Sequence, residues 1–64
     1  MVRINGADVS AEGISLAAYL DKEGFLQTRI AVERNGEIVP KTKYEEIILA
    51  EGDKIEIVSF VGGG

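Results

Sequence analysis

The chain ends Ser59-Phe60-Val61-Gly62-Gly63-Gly64, and the only functional group on its three glycines is the terminal carboxylate of Gly64. Glycine costs more to order than any other residue and packs nothing. Three in a row make the narrowest backbone available, one that can enter a channel any Cβ would block. A carboxylate is a poor electrophile, but attack on the α-phosphate of ATP converts it to an acyl-adenylate with AMP as a good leaving group. A sulfur nucleophile that displaces AMP then leaves a thiocarboxylate. The chain carries no histidine and no cysteine, so it lacks the side chains best suited to proton transfer near neutral pH and to thiolate chemistry. A separate enzyme must supply Mg²⁺, charge stabilisation and positioning. On this reading the chain is not an enzyme. Gly64 is its reacting residue, and Gly62 and Gly63 thread the partner's active site. The plain alternative is a frayed end, since termini are often small-residue-rich. Against it stands the lack of any polar linker before the glycines.

Other constellations carry less. Glu45-Glu46 beside Lys41 and Lys43 reads as a solvated face rather than an acid–base group. Tyr19 and Tyr44 read as core or rim aromatics. The glycines of GADVSAEG lack the spacing of a phosphate-binding loop. Without cysteine a disulfide and a thiolate metal site are excluded, without histidine the commonest zinc ligand is missing, and no metal site is expected. A net charge of −4 makes nucleic acid a poor partner and a basic protein a better one. No apolar run approaches the roughly 18 residues of a membrane span, and no signal-peptide pattern opens the chain. A cytoplasmic protein with no membrane partner is the expectation.

The elements that must position the tail fit one domain, residues 1–61, followed by a flexible glycine tail at 62–64. Val2 and Ile4 alternate with Arg3 and Asn5, the period of a half-buried strand. Asn5-Gly6 then predicts a hairpin turn into a second strand over Ala7 to Ser10. A short helix follows over residues 15–23. Ser15 is its N-cap, Ile14 and Tyr19 stand at staple spacing, and Gly24 closes it. Leu16, Tyr19 and Leu20 form its buried stripe. Thr28 to Arg34 alternates again, Asn35-Gly36 turns the chain, and Glu37-Ile38-Val39 pairs back until Pro40. Tyr44, Ile47 and Ile48 predict a single helical turn, Gly52-Asp53 a turn, and Lys54 to Val61 the last and longest strand.

That order suits one mixed sheet of four to five strands packed on one helix, an α+β domain. The first and last strands are the most apolar and are expected at its centre, parallel, with the helix in the crossover. This is the β-grasp. In the last strand Ile55 and Ile57, with Ser59 after them, share one face, while Glu56, Val58 and Phe60 share the other. With the isoleucines turned to the helix, Val58 and Phe60 face outward beside Ala31 and form an apolar docking patch that leads to the glycines.

VRINGADV, SLAAYL, RIAVERNGEIVPK, EGDKIEIV and the closing Gly-Gly together resemble the ThiS family, the sulfur carriers of thiamine biosynthesis, along the whole chain. NGEIVPK followed by a short helical stretch and Gly-Asp is the most specific internal feature. Gly62 stands where the family varies. The resemblance implies a ubiquitin-like β-grasp fold and adenylation of Gly64 by an E1-like, ThiF-type adenylyltransferase using ATP and Mg²⁺. It further implies conversion to a thiocarboxylate through a sulfur-donating persulfide protein, and delivery of sulfur to a ThiG-type thiazole synthase. Val58 and Phe60 match the position where such carriers dock. Three alternatives share the Gly-Gly end or the fold. They are a small subunit of molybdopterin synthase, another ubiquitin-like sulfur carrier or modifier, and a non-covalent β-grasp interaction module.

Overall fold

A computed structural model describes residues 1–60. Its sheet has five strands, β1 (Val2–Ile4), β2 (Ala7–Val9), β3 (Ile30–Arg34), β4 (Glu37–Ile38) and β5 (Lys54–Ser59), in the order β2-β1-β5-β3-β4. β1 and β5 run parallel, and the other pairings are antiparallel. Helix α1 (Leu16–Lys22) lies in the crossover between the two parallel strands and covers one sheet face. This is the β-grasp, with β5 at the centre and β1 beside it.

Local chemistry makes each element. Both Asn-Gly pairs adopt positive φ at both residues, 49° and 83° at Asn5-Gly6 and 52° and 88° at Asn35-Gly36. That backbone twist matches the flanking strands of a tight hairpin. Ser15 caps α1, its Oγ accepting from the Ala18 N–H at 3.0 Å. Gly24, at φ 82°, ends it. The buried stripe is Leu16, Tyr19 and Leu20, packed against Val2, Ile4, Ile30, Val32, Ile55 and Ile57 from the sheet.

The strands are shorter than the alternation predicts. β3 starts at Ile30 because Gln27–Arg29 forms a 3-10 turn, closed by the Arg29 N–H on the Leu26 carbonyl at 2.8 Å. β2 and β4 each lose their last predicted residue, although the Val39 N–H still donates to the Val32 carbonyl at 2.9 Å. β5 ends at Ser59, and Val61 lies outside the described residues.

The segment between Pro40 and Gly52 departs further. A 3-10 turn over Lys41–Lys43 delivers Tyr44 to the core, as expected. Ile48, assigned by spacing to the same inward face, is instead exposed, and Leu49 is buried. The cause is pairing. The chain runs extended there beside the entry to α1, with Gly13 N–H on Leu49 O, Leu49 N–H on Ile14 O and Leu16 N–H on Ile47 O, each at 2.8 Å. An extended segment alternates its side chains, so positions 47 and 49 share a side and 48 takes the other.

Candidate functional site

The central strand divides its side chains as its alternation predicts. Ile55 and Ile57 are buried against the helix, and Glu56, Val58 and Phe60 are exposed on the opposite face. Val58 is 58% and Phe60 55% exposed, which excludes an inward turn of the phenyl ring. Ala31 lies directly opposite Val58 in the β3–β5 register, so the three residues named from sequence share one surface. Ser59 pairs with the buried Ile30 but is itself exposed. Gly62, Gly63 and Gly64 lie outside the described residues.

The patch is larger than the alternation of β5 alone indicates. Ile38 is 65% exposed and sits opposite Glu33, on the same outer face as Ala31. Its signal was present in the sequence: with Val39 turned inward, its neighbour must turn out. Acids flank these apolar groups, for Glu33 and Glu56 are direct partners across β3 and β5. Lys54 offsets them only loosely, its Nζ 3.9 Å from Glu56. An apolar patch with an acidic border favours a partner surface that is apolar and basic.

Four further groups fix the course of β5 at its two ends. The Phe60 N–H donates to the Arg29 carbonyl at 2.8 Å, so the ladder with the β3 side extends to the last described residue. Asn5 replaces a missing strand residue on the other side. Its Oδ1 accepts from the Ile57 N–H at 2.7 Å and its Nδ2 donates to the Ile57 carbonyl at 3.3 Å. Asn35 performs a similar service at the start of β5, its Oδ1 accepting from the Lys54 N–H at 2.9 Å. Asp53 then ties that corner together. Its carboxylate accepts from Arg34 Nε at 3.1 Å, Asn35 Nδ2 at 3.2 Å and the Ala50 N–H at 3.0 Å. Burial pushes the Asp53 carboxyl up, but the bonds from Ala50, Asn35 and Arg34 prevail and hold it below the usual carboxylate range. The sequence marks these residues only as turn formers; their side-chain bonds depend on which strands end beside them.

Comparison with known proteins now bears on this geometry. The ThiS family model matches residues 2–64. This chain belongs to the ThiS family. A relative of the same length scale, the sulfur carrier protein ThiS of Bacillus subtilis, is 42% identical over 71 aligned positions that cover all of both chains. The crystal structure of the thiamine biosynthesis protein ThiS from Geobacter metallireducens superposes with a TM-score of 0.77 at 28% identity, covering 98% of this chain and 97% of that one. A thiazole synthase of Paramagnetospirillum magneticum is 44% identical over 62 residues, 95% of this chain. The ThiS-family chain spans only 19% of that synthase's length.

Proposed function

We propose that this ThiS-family chain is a sulfur carrier of thiamine biosynthesis, acting on its partners as a substrate rather than as a catalyst. The observation that carries the reading is full-length similarity to the Bacillus subtilis sulfur carrier, in a chain whose central strand bears an exposed apolar patch a few residues before Gly64 in sequence. An oxygen of the Gly64 carboxylate attacks the α-phosphate of ATP, with pyrophosphate leaving, on a ThiF-type adenylyltransferase that holds the Mg²⁺. A persulfide sulfur from a donor protein displaces AMP from the acyl-adenylate. Reductive cleavage of the resulting acyl disulfide by a thiol leaves the thiocarboxylate. A ThiG-type thiazole synthase takes the sulfur in exchange for an oxygen from its substrate or water, which regenerates the carboxylate. The presence of a region similar to this chain within the sequence of a thiazole synthase supports that last partner. The same reading places the chain in the cytoplasm, where ATP is available to the adenylyltransferase.

Val58, Phe60, Ala31 and Ile38 are the docking surface in this scheme, and Gly62 and Gly63 admit Gly64 to the reaction centre. Intact mass of the chain, purified from cells that express its ThiF-type and persulfide partners, tests the reading. A species heavier by the sulfur-for-oxygen difference, located to the C-terminal peptide, is the expected result. A mass that stays unmodified after incubation with ATP, the sulfur donor and the adenylyltransferase rejects it in favour of a non-covalent interaction module.

A further inference from the structure

β5 outruns the strand on one of its sides. Phe60 N–H bonds to Arg29 O, and Lys54 O accepts from the Asn35 N–H at 2.8 Å, so the even-numbered residues of β5 direct their backbone groups towards β3. Ile55 O accepts from the Asn5 N–H at 2.9 Å, and both backbone groups of Ile57 are met by the Asn5 side chain, so the odd-numbered residues point towards β1. Ser59 stands two residues beyond Ile57 and must aim its N–H and C=O the same way. By then β1 has ended at Ile4, and the chain is turning through Asn5-Gly6. The β1–β5 ladder reaches only Ile55, and among the described residues nothing meets Ser59 on that side. A notch one residue deep is thus left in the middle of the sheet.

The outer edges of the same sheet are blunted. β2 has three residues and carries Asp8, paired with Arg3 at 3.3 Å. β4 has two residues, begins with Glu37 and is followed closely by Pro40. Short length, charge and proline are the usual protections of an edge. The notch is short but has neither charge nor proline: Val58, Ser59 and Phe60 are uncharged, and all three are exposed. It is also continuous with the candidate docking patch, since Val58 and Phe60 flank Ser59 on the outer face.

We propose that the notch accepts an extended backbone segment of the adenylyltransferase that receives the C-terminus, adding a strand beside Ser59 where β1 stops. The inference rests on the carrier reading above. One residue with both N–H and C=O free is what an antiparallel neighbour needs to exchange a pair of bonds. Apolar contacts of Val58 and Phe60 then supply area, and the backbone pair sets the direction in which the tail enters.

Binding of the chain to the ThiF-type adenylyltransferase of the same organism provides the test. Ser59→Pro removes the N–H on the open side and leaves the bonds of Val58 and Phe60 to the β3 side in place; the residue before the proline is already extended, as proline requires. It is expected to weaken binding about tenfold, with Ser59→Ala, which keeps the N–H, within about twofold of the unaltered chain. Exchange of the Ser59 amide in the unaltered chain is a second readout that needs no variant. It is expected to be fast in the free chain and slowed about tenfold or more by the enzyme. Equal binding by Ser59→Pro, or an amide that exchanges equally fast in the complex, overturns the proposal while leaving the carrier reading intact. Failure of the unaltered chain to bind the enzyme at all removes both. Protection that grows with the concentration of the chain alone would assign the notch to a second copy and overturn the enzyme as its occupant.

Discussion

One oxygen of Asp53 accepts from Nε of Arg34 at 3.1 Å and lies 3.0 Å from its Nη2 in an ion pair, which ties the start of the central strand to the end of β3. The same oxygen takes the Ala50 N–H, and its partner oxygen takes the Asn35 amide. With Asp53 only 7% exposed, this is the one buried charged residue among those described, and all its bonds favour the ionised form.

The carboxyl of Asp53 is held below its ordinary value in the folded chain. A group depressed by folding contributes stability above its unfolded pKa, near 3.8, and loses it as pH falls through the lower folded value. Thermal melts should therefore fall more steeply below about pH 4 for the unaltered chain than for Asp53→Asn. At pH 7, Asp53→Ala should cost about 1–3 kcal/mol, because Arg34 and the Ala50 N–H lose their acceptor. Parallel acid profiles for the two chains would show that Asp53 is not a source of the pH dependence.

Asn5 supplies two backbone-like bonds to Ile57 and also occupies a left-handed φ of 49°. Asn5→Ala should destabilise by about 1–3 kcal/mol in denaturant titrations, since it loses the bonds and strains the turn. Asn5→Gly relieves the φ but not the bonds, and should fall between the two. A glycine variant as stable as the parent would mean that only the turn conformation matters.

Leu49 and Ile48 make a matched pair of opposite burial, 1% and 52% exposed. Leu49→Ala should cost about 2–5 kcal/mol and Ile48→Ala about 0.5 kcal/mol or less, read as a shift in unfolding midpoint. The reverse ranking would support the helical spacing of Tyr44, Ile47 and Ile48 over the extended pairing with the entry to α1.

Phe60→Asp and Val58→Asp place a charge on an exposed patch already bordered by Glu33 and Glu56. Stability should change by no more than about 0.5 kcal/mol, and affinity for the adenylyltransferase should fall at least about tenfold. Unfolding of either variant would place its side chain in the core rather than at an interface.

Removal of Gly64, or one residue added after it, leaves every described contact of residues 1–60 untouched. Thiocarboxylate formation should disappear from the mass spectrum while the melting curve stays the same. A plain interaction module would bind its partner with either change.

The sequence was most legible where one residue type answers one local need. Asn-Gly at two turns, Ser15 at a cap and the alternation of Ile55, Ile57 and Val58 each led to the element and the face observed. It was least legible where a distant strand decides. Whether residues 47–49 coil or extend depends on the Gly13–Leu16 backbone lying alongside, which spacing within the segment does not reveal. The 3-10 turn at Gln27–Arg29 interrupts an alternation that reads smoothly from Thr28, because chain leaving α1 must reverse before it can join the sheet. The same holds for the site. Val58, Phe60 and Ala31 were legible as a surface because they follow from strand period, whereas Ile38, outward by the same period, is set beside them by the β3–β4 register.

Placing β5 at the centre has a consequence for how the chain is made. The hairpin of β1 and β2 and the hairpin of β3 and β4 share no ladder except through the last strand in chain order. During synthesis both hairpins emerge as separate marginal pieces, since an isolated two-stranded ribbon is barely stable in water. The sheet closes when residues 54–59 arrive, in one step that joins distant parts of the chain. A nascent chain stalled before Lys54 should therefore remain open to proteases, and the segment that completes the fold is the one that leads directly into the tail.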